Sequence, residues 1–228
     1  MIKGIIFDFD GVLIESAQIK TDAFRMLFSK WPEKVDEIVS YHINNMGVSR
    51  YVKFRYIYEN IIRKPYSEEI GLDLGGGFSD LVLEKIKEAP LVKGTERFLE
   101  KAYKRYFLFI ASGTPQEELD DIVFFKDIYK YFKGVFGTPP GKTEIVKNIL
   151  TEYGFEKKQV VFVGDAGSDK KTADDTGIHF ILRITKNNFE FANSTVYTIH
   201  DLSKLENRIV ELENTYLEHS TVRFINNG

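Results

Sequence analysis

Five short apolar runs, "IKGIIFDFD", "YFLFIAS", "GVFG", "QVVFVGD" and "IHFILRI", recur along the chain with helix-length stretches between most of them. They are apolar at successive positions, not at alternate ones. A strand with one face in water alternates, so a continuous run marks a strand covered on both faces, and strands joined through helices lie parallel. The pattern predicts an α/β fold built on a doubly wound parallel sheet. The connecting segments support it: Thr114 and Pro115 followed by Glu117 and Glu118 form a helix start, and a helix over Thr143 to Tyr153 ends before Gly154. Ile145, Ile149 and Leu150 give that helix its buried face.

Between the first run and the rest the pattern changes. Residues 16–89 read as helices only, roughly 17–30, 33–45, 48–62 and 78–88, with breaks at Pro32, Gly47, Pro65 and the glycines 75–77. The triple glycine reads as a flexible joint or a loop. The expected organisation is an α/β core of residues 1–15 and 90–228 with a helical cap domain, 16–89, inserted after the first strand. Toward the C-terminus a strand is expected at "STVYTI", a helix over Leu202 to Leu217 and an edge strand at "TVRFI".

Composition narrows the function classes. The chain has 228 residues, 43% hydrophobic and 29% charged, enough apolar material for a full core and against disorder. A net charge of −3 gives no basic surface for nucleic acid or an anionic membrane. No residue is Cys, which removes disulfides, thiolate metal sites and Cys nucleophiles. The apolar runs are far shorter than a membrane span, and the first residues lack the apolar stretch and cleavage site of a secretory signal. A cytoplasmic protein without membrane or nucleic-acid partners, monomeric or homodimeric, is the expectation.

Four polar stretches fall at the ends of expected strands, where open α/β sheets bind ligands. The first, Asp8-Phe9-Asp10-Gly11, puts two carboxylates on the same side of a strand end, where they repel unless a proton, a cation or water intervenes. The second is Ser112, Gly113 and Thr114, a hydroxyl and backbone N–H groups suited to an anion. Lys142 forms the third, and Gly164, Asp165 and Asp169 the fourth. An all-oxygen carboxylate site suits Mg²⁺, and the whole inventory suits phosphoryl transfer.

These stretches, "DFDGVLIES", "SGT", the Lys142 segment and "GDAGSD", resemble the four ordered motifs of the haloacid dehalogenase superfamily, and the insertion is similar to the helical cap of its phosphoglycolate phosphatase and phosphoglucomutase branch. The resemblance implies that Asp8 is the nucleophile and a Mg²⁺ ligand, and that Asp10 is acid and base and offers the metal its backbone carbonyl. Ser112 and the Gly113 N–H would hold phosphoryl oxygens, and Lys142 would neutralise the anion and orient Asp8. Asp165 would ligate Mg²⁺, and Asp169 would secure metal waters or Lys142. The implied activity is a Mg²⁺-dependent phosphatase acting on a small phosphorylated metabolite through an aspartyl phosphate. Two alternatives stand beside it: a phosphomutase of the beta-phosphoglucomutase type, dependent on a bisphosphate activator, and a non-catalytic phospholigand-binding or phospho-accepting regulator. Lys20 stands where the mutase-like relatives tend to have His. In the cap, Arg50 and Lys53 are the candidates for substrate selection, with a solvated helix face as the competing reading. His42 and His179 read as packed or surface residues, since no second His stands at ligand spacing.

Overall fold

The computed structural model describes residues 1–186, 188 and 195–225, with side chains through 215. Six strands form one parallel sheet in the order β3-β2-β1-β4-β5-β6: β1 (Gly4–Phe7), β2 (Phe107–Pro115), β3 (Gly134–Thr138), β4 (Val160–Gly164), β5 (His179–Arg183) and β6 (Thr198–Ile199). The continuous apolar runs are explained by burial on both sides. Ile5, Phe7, Leu108, Ile110, Val161 and Val163 pack into one core. Their neighbours Ile6, Phe109, Ala111, Val160 and Phe162 pack into a second, on the opposite face, as the two-residue period of a strand requires.

Helices α7 (Lys142–Glu152) and α8 (Gly167–Thr176) cover the second core with Ile145, Val146, Ile149 and Ala173. The first is covered by α5 (Thr95–Ala102), α6 (Gln116–Phe125) and α9 (Leu205–Ile225), together with four helices that lie between β1 and β2 in sequence. Those are α1 (Ala17–Leu27), α2 (Val35–Asn44), α3 (Arg50–Tyr56), which runs on as a wider turn over Ile57–Ile62, and α4 (Glu68–Glu88). Phe24, Phe28, Phe54 and Phe78 are fully buried where these four meet, each worth roughly 1.5–3 kcal/mol of apolar burial. The segment leaves and rejoins the sheet at one place: Ile14 bridges Leu91 antiparallel, and Glu15 N–H donates to Pro90 O at 3.0 Å.

Two sequence expectations fail. The glycines at 75–77 are neither joint nor loop but lie inside the 21-residue helix α4. Ser67 caps its start, accepting from Ile70 N–H at 3.2 Å, and Leu74, Phe78, Val82 and Ile86 form a buried stripe at four-residue spacing that carries the helix through the glycines. A Cβ at Gly75 would lie 2.7 Å from Tyr51 Oη, so the missing side chain lets α3 and α4 approach. The edge strand at "TVRFI" is also absent, because no Gly or Pro interrupts the chain from Leu205 and α9 continues through Ile225. Of "STVYTI", only Thr198–Ile199 is strand, and Ser194 lies outside the described residues. No helix among the described residues is long and apolar enough to cross a membrane.

Candidate active site

Asp8 follows β1, Ser112 and Gly113 close β2, Lys142 opens α7, Asp165 follows β4, and Asp169 stands in the first turn of α8. All converge at the carboxyl edge of the sheet. Lys142 Nζ lies 2.9 Å from Asp8 Oδ1 and 2.6 Å from Asp169 Oδ1. The other oxygen of Asp169 accepts from the backbone N–H groups of Asp165 and Ala166, each at 3.1 Å. Both oxygens of Asp169 are thus engaged, and its visible task is to hold Lys142 and the turn that carries Asp165.

Asp8 and Asp165 are different. Asp8 Oδ1 takes both Lys142 and the Phe9 N–H at 2.7 Å, while Oδ2 carries neither bond. Asp165 Oδ2 is buried and has no hydrogen-bond partner. Burial raises the Asp8 pKa to about 7, with the Asp169 and Asp10 charges adding to it and Lys142 opposing. Burial and the Asp8 and Asp169 charges hold Asp165 well above the usual carboxylate range. Burial works against the charge of Lys142, but Asp169 and Asp8 outweigh it and keep its pKa above that of an ordinary lysine.

Oxygens of Asp8, Asp165 and Asp169 lie within 4.8 Å of one another, all buried. A cluster of hard oxygen donors with one orphaned carboxylate oxygen fits a divalent cation such as Mg²⁺, which would satisfy Asp165 and remove the need for protons on the acids. Gly11 makes the room. Its φ is +73°, and a Cβ there would run into Asp165 Oδ2.

Asp10 has a separate set of partners. It accepts from Ser16 Oγ at 2.6 Å, Lys20 Nζ at 2.5 Å and Thr114 Oγ1 at 2.9 Å. Burial alone would raise its pKa, but Lys20 and the hydroxyls outweigh burial and hold it below the usual carboxylate value. Sequence reasoning singled out Lys20 only as a departure from a relative's residue; that Ser16 and Lys20 stand four apart on the first turn after "DFDG" was the available signal. Thr114 also departs from expectation. Its N–H donates to Ser112 Oγ at 3.1 Å instead of standing open to an anion, and its hydroxyl serves Asp10. Arg183 and Asn188 were missed as well: Arg183 donates to Gly11 O at 2.7 Å, and Asn188 to Asp165 O at 2.6 Å, fixing the two loops that bear the acids.

The helical segment closes over this edge. Ser168 Oγ donates to Met46 O at 2.8 Å, and a Cβ on Gly113 would lie 2.7 Å from Gly47 O. Beneath is a cavity of about 50 Å³, lined by Asp8, Asp10 and Asp165 on one side and by Lys20, His42, Arg50 and Lys53 on the other. Arg50 and Lys53 are both 4% exposed, so the solvated-face reading fails. Helix α3 turns that face inward because Phe54 beside it packs against Phe24, Phe28 and Phe78. His42 is a packed residue, stacked on Phe24 at 4.1 Å between ring centres, and His179 meets Lys158 O at 3.2 Å.

Comparison with known proteins gives concordant results. The family profile described as haloacid dehalogenase-like hydrolase matches residues 5–183. A phosphorylated carbohydrates phosphatase from Thermotoga maritima is 28% identical over 185 residues, covering 79% of this chain and 84% of its own. Among solved structures, a beta-phosphoglucomutase from Clostridium difficile superposes with a TM-score of 0.78 at 18% identity, covering 95% of this chain and 99% of its own. A haloacid dehalogenase-like family hydrolase from Streptococcus pneumoniae gives 0.69 at 19% identity, covering 91% and 98%. At such identities the two structures show a shared fold.

Proposed function

The chain belongs to the haloacid dehalogenase-like hydrolase family, and from that premise we propose that it is a Mg²⁺-dependent phosphatase that hydrolyses a small phosphorylated carbohydrate through an aspartyl phosphate on Asp8. The carbohydrate follows the name of the Thermotoga relative. One observation carries the chemistry: Lys142 bridges Asp8 and Asp169 while Asp165 Oδ2 stays buried without a partner. A lysine fixed on one oxygen of Asp8 aims the other at an incoming phosphoryl group, and the unmet need of Asp165 is for a cation.

On this reading Asp8, Asp165 and the Asp10 backbone carbonyl hold Mg²⁺, which when bound supplies positive charge beside the phosphoryl oxygens. Asp8 Oδ2 attacks phosphorus as the ester P–O bond breaks, and Asp10 gives its proton to the departing oxygen. Asp10 then takes a proton from the water that attacks the aspartyl phosphate, releasing phosphate and restoring Asp8. Ser112 Oγ and the Gly113 N–H hold the phosphoryl oxygens, and Lys142 balances their charge. Lys20 and the hydroxyls hold Asp10 ionised, the form needed for the water step. The proton-donating step requires Asp10 to part from Lys20.

Residues 16–89 serve as a cap over residues 1–15 and 90–228, setting which leaving group is accepted. The protein acts in the cytoplasm on a soluble metabolite, without membrane or nucleic-acid partners, as a monomer or homodimer. The test is phosphate release from a panel of small phosphomonoesters with Mg²⁺, repeated after chelation and with Asp8→Asn. Loss of turnover in both is expected, with the circular-dichroism spectrum of the variant unchanged. Turnover that survives either change defeats the reading.

A further inference from the structure

The wall of the cavity opposite Asp8 looks basic in sequence, yet its charges are already matched. Lys20 is paired with Asp10 at 2.5 Å. Arg50 meets Glu118 of α6 in a two-pronged contact, Nη1 to Oε1 at 3.0 Å and Nη2 to Oε2 at 2.6 Å, and Ser79 Oγ donates to the same Oε1 at 2.6 Å. The guanidinium also lies 4.6 Å from the centre of the Phe78 ring. Two parallel hydrogen bonds and a ring face fix it in one orientation, and the pair as a whole carries no net charge.

Lys53 and His42 remain. Lys53 Nζ stands 3.1 Å from His42 Nδ1, and a protonated Lys53 donates to it. That Nε2 is buried and has no partner. Burial, followed by the charge of Lys20, lowers the Lys53 pKa to about 7. Of the cations on the far wall, Lys20 and Arg50 are thus paired with carboxylates, and burial brings Lys53 close to neutrality.

We propose that Glu118 is a specificity-determining residue: by neutralising Arg50, which lines the cavity, it confines the reaction to monophosphates whose leaving group is uncharged and hydroxyl-bearing, and it disfavours substrates with a second phosphate. This rests on the phosphatase reading and narrows its substrate class. A second phosphate dianion seeking Arg50, which lines the cavity, would have to displace the Glu118 carboxylate from it, and the two anions would compete for one guanidinium. Hydroxyl groups instead find Lys53, which lines the cavity together with His42. The same matching argues for hydrolysis over a mutase that depends on a bisphosphate, since that molecule needs a cationic site at each end.

The test compares kcat/KM, by phosphate release with Mg²⁺, for a hexose 6-phosphate and a hexose 1,6-bisphosphate. Wild type should prefer the monophosphate by at least ~10-fold, and Glu118→Gln, which frees Arg50, should lower that ratio by ~10-fold, while Glu118→Asp should keep most of it. A wild-type enzyme that uses the bisphosphate equally well overturns the proposal, as does Glu118→Gln losing activity on both in equal proportion, which would make the ion pair a structural clasp only. Should Glu118→Gln fail to fold, the wild-type ratio decides. No phosphate release from either sugar or from a generic aryl phosphate would instead defeat the phosphatase reading, and the inference with it.

Discussion

Replacing Lys53 by Met isolates the cost of keeping an amine under the helical segment. Burial, with Lys20 adding to it, takes the Lys53 pKa from 10.5 to about 7 in the folded protein. The unfolded chain keeps the proton up to the ordinary value, so it binds more protons than the folded state between those two pH values. Wild-type stability therefore rises as pH climbs from 7 toward 10.5, and is lost as pH falls back through that window. Integrating the difference gives a cost of roughly 4 kcal/mol near pH 7 and roughly 2 kcal/mol near pH 9. Met has a similar length and no charge, but it leaves His42 Nδ1 without its donor, a loss of ~1–3 kcal/mol. Lys53→Met should thus be more stable than wild type by ~1–3 kcal/mol near pH 7, an advantage that shrinks by ~2 kcal/mol near pH 9. Urea unfolding of both proteins at the two pH values measures it, and every group common to both cancels in the comparison. An advantage that does not change with pH would refute the argument, because it would mean that Lys53 keeps its proton in the folded state.

Three further outcomes are expected. Asp10→Asn should suppress turnover of an alkyl phosphate by ~10²–10⁴ yet still release one burst of phenol from an aryl phosphate, matched by hydroxylamine-sensitive label on the protein; absence of both burst and label in rapid-quench experiments would remove the proposed division of labour. Gly11→Ala should abolish turnover and lower the thermal midpoint, because the new methyl group meets Asp165 Oδ2 and the backbone sits at φ +73°; wild-type behaviour on both counts would contradict that packing. Gly76→Ala, with nothing within 4 Å of the added carbon, should stabilise α4 by ~1 kcal/mol, whereas Gly75→Ala should lose that gain against Tyr51. Equal stabilisation in chemical unfolding would show that α3 and α4 are not in close contact there.

What could be read from the sequence was what short-range patterns encode. The strands of the sheet announced themselves because burial on both faces leaves no polar position, and Asp8, Ser112, Lys142 and Asp165 drew attention because each stands where a strand or turn meets a helix start. Local rules misled where a long-range contact decides. Gly75 is a helix breaker by propensity, but the stripe from Leu74 to Ile86 and the approach of Tyr51 override it. Arg50 could be read as a solvated cation because its partner Glu118 lies 68 residues further along the chain. Lys20 and Thr114, 94 residues apart, meet at Asp10 only after the helical segment has folded back over β2. Charge pairing of that kind leaves no periodicity to detect.

The narrow cavity has a kinetic corollary. About 50 Å³ is room for a few water molecules, so a sugar phosphate needs more space beside Asp8 than this arrangement gives, and the helical segment, joined to the sheet beside the Ile14–Leu91 bridge, has to shift to provide it. Polar contacts hold it down, among them Lys20 with Asp10, Arg50 and Ser79 with Glu118, Lys87 with Asp121, and Ser168 with Met46. Three of these are ion pairs, and once separated their charges enter solvent, where dissolved ions screen them. Added salt therefore favours the open arrangement, and ionic strength becomes a control on how often Asp8 can be reached.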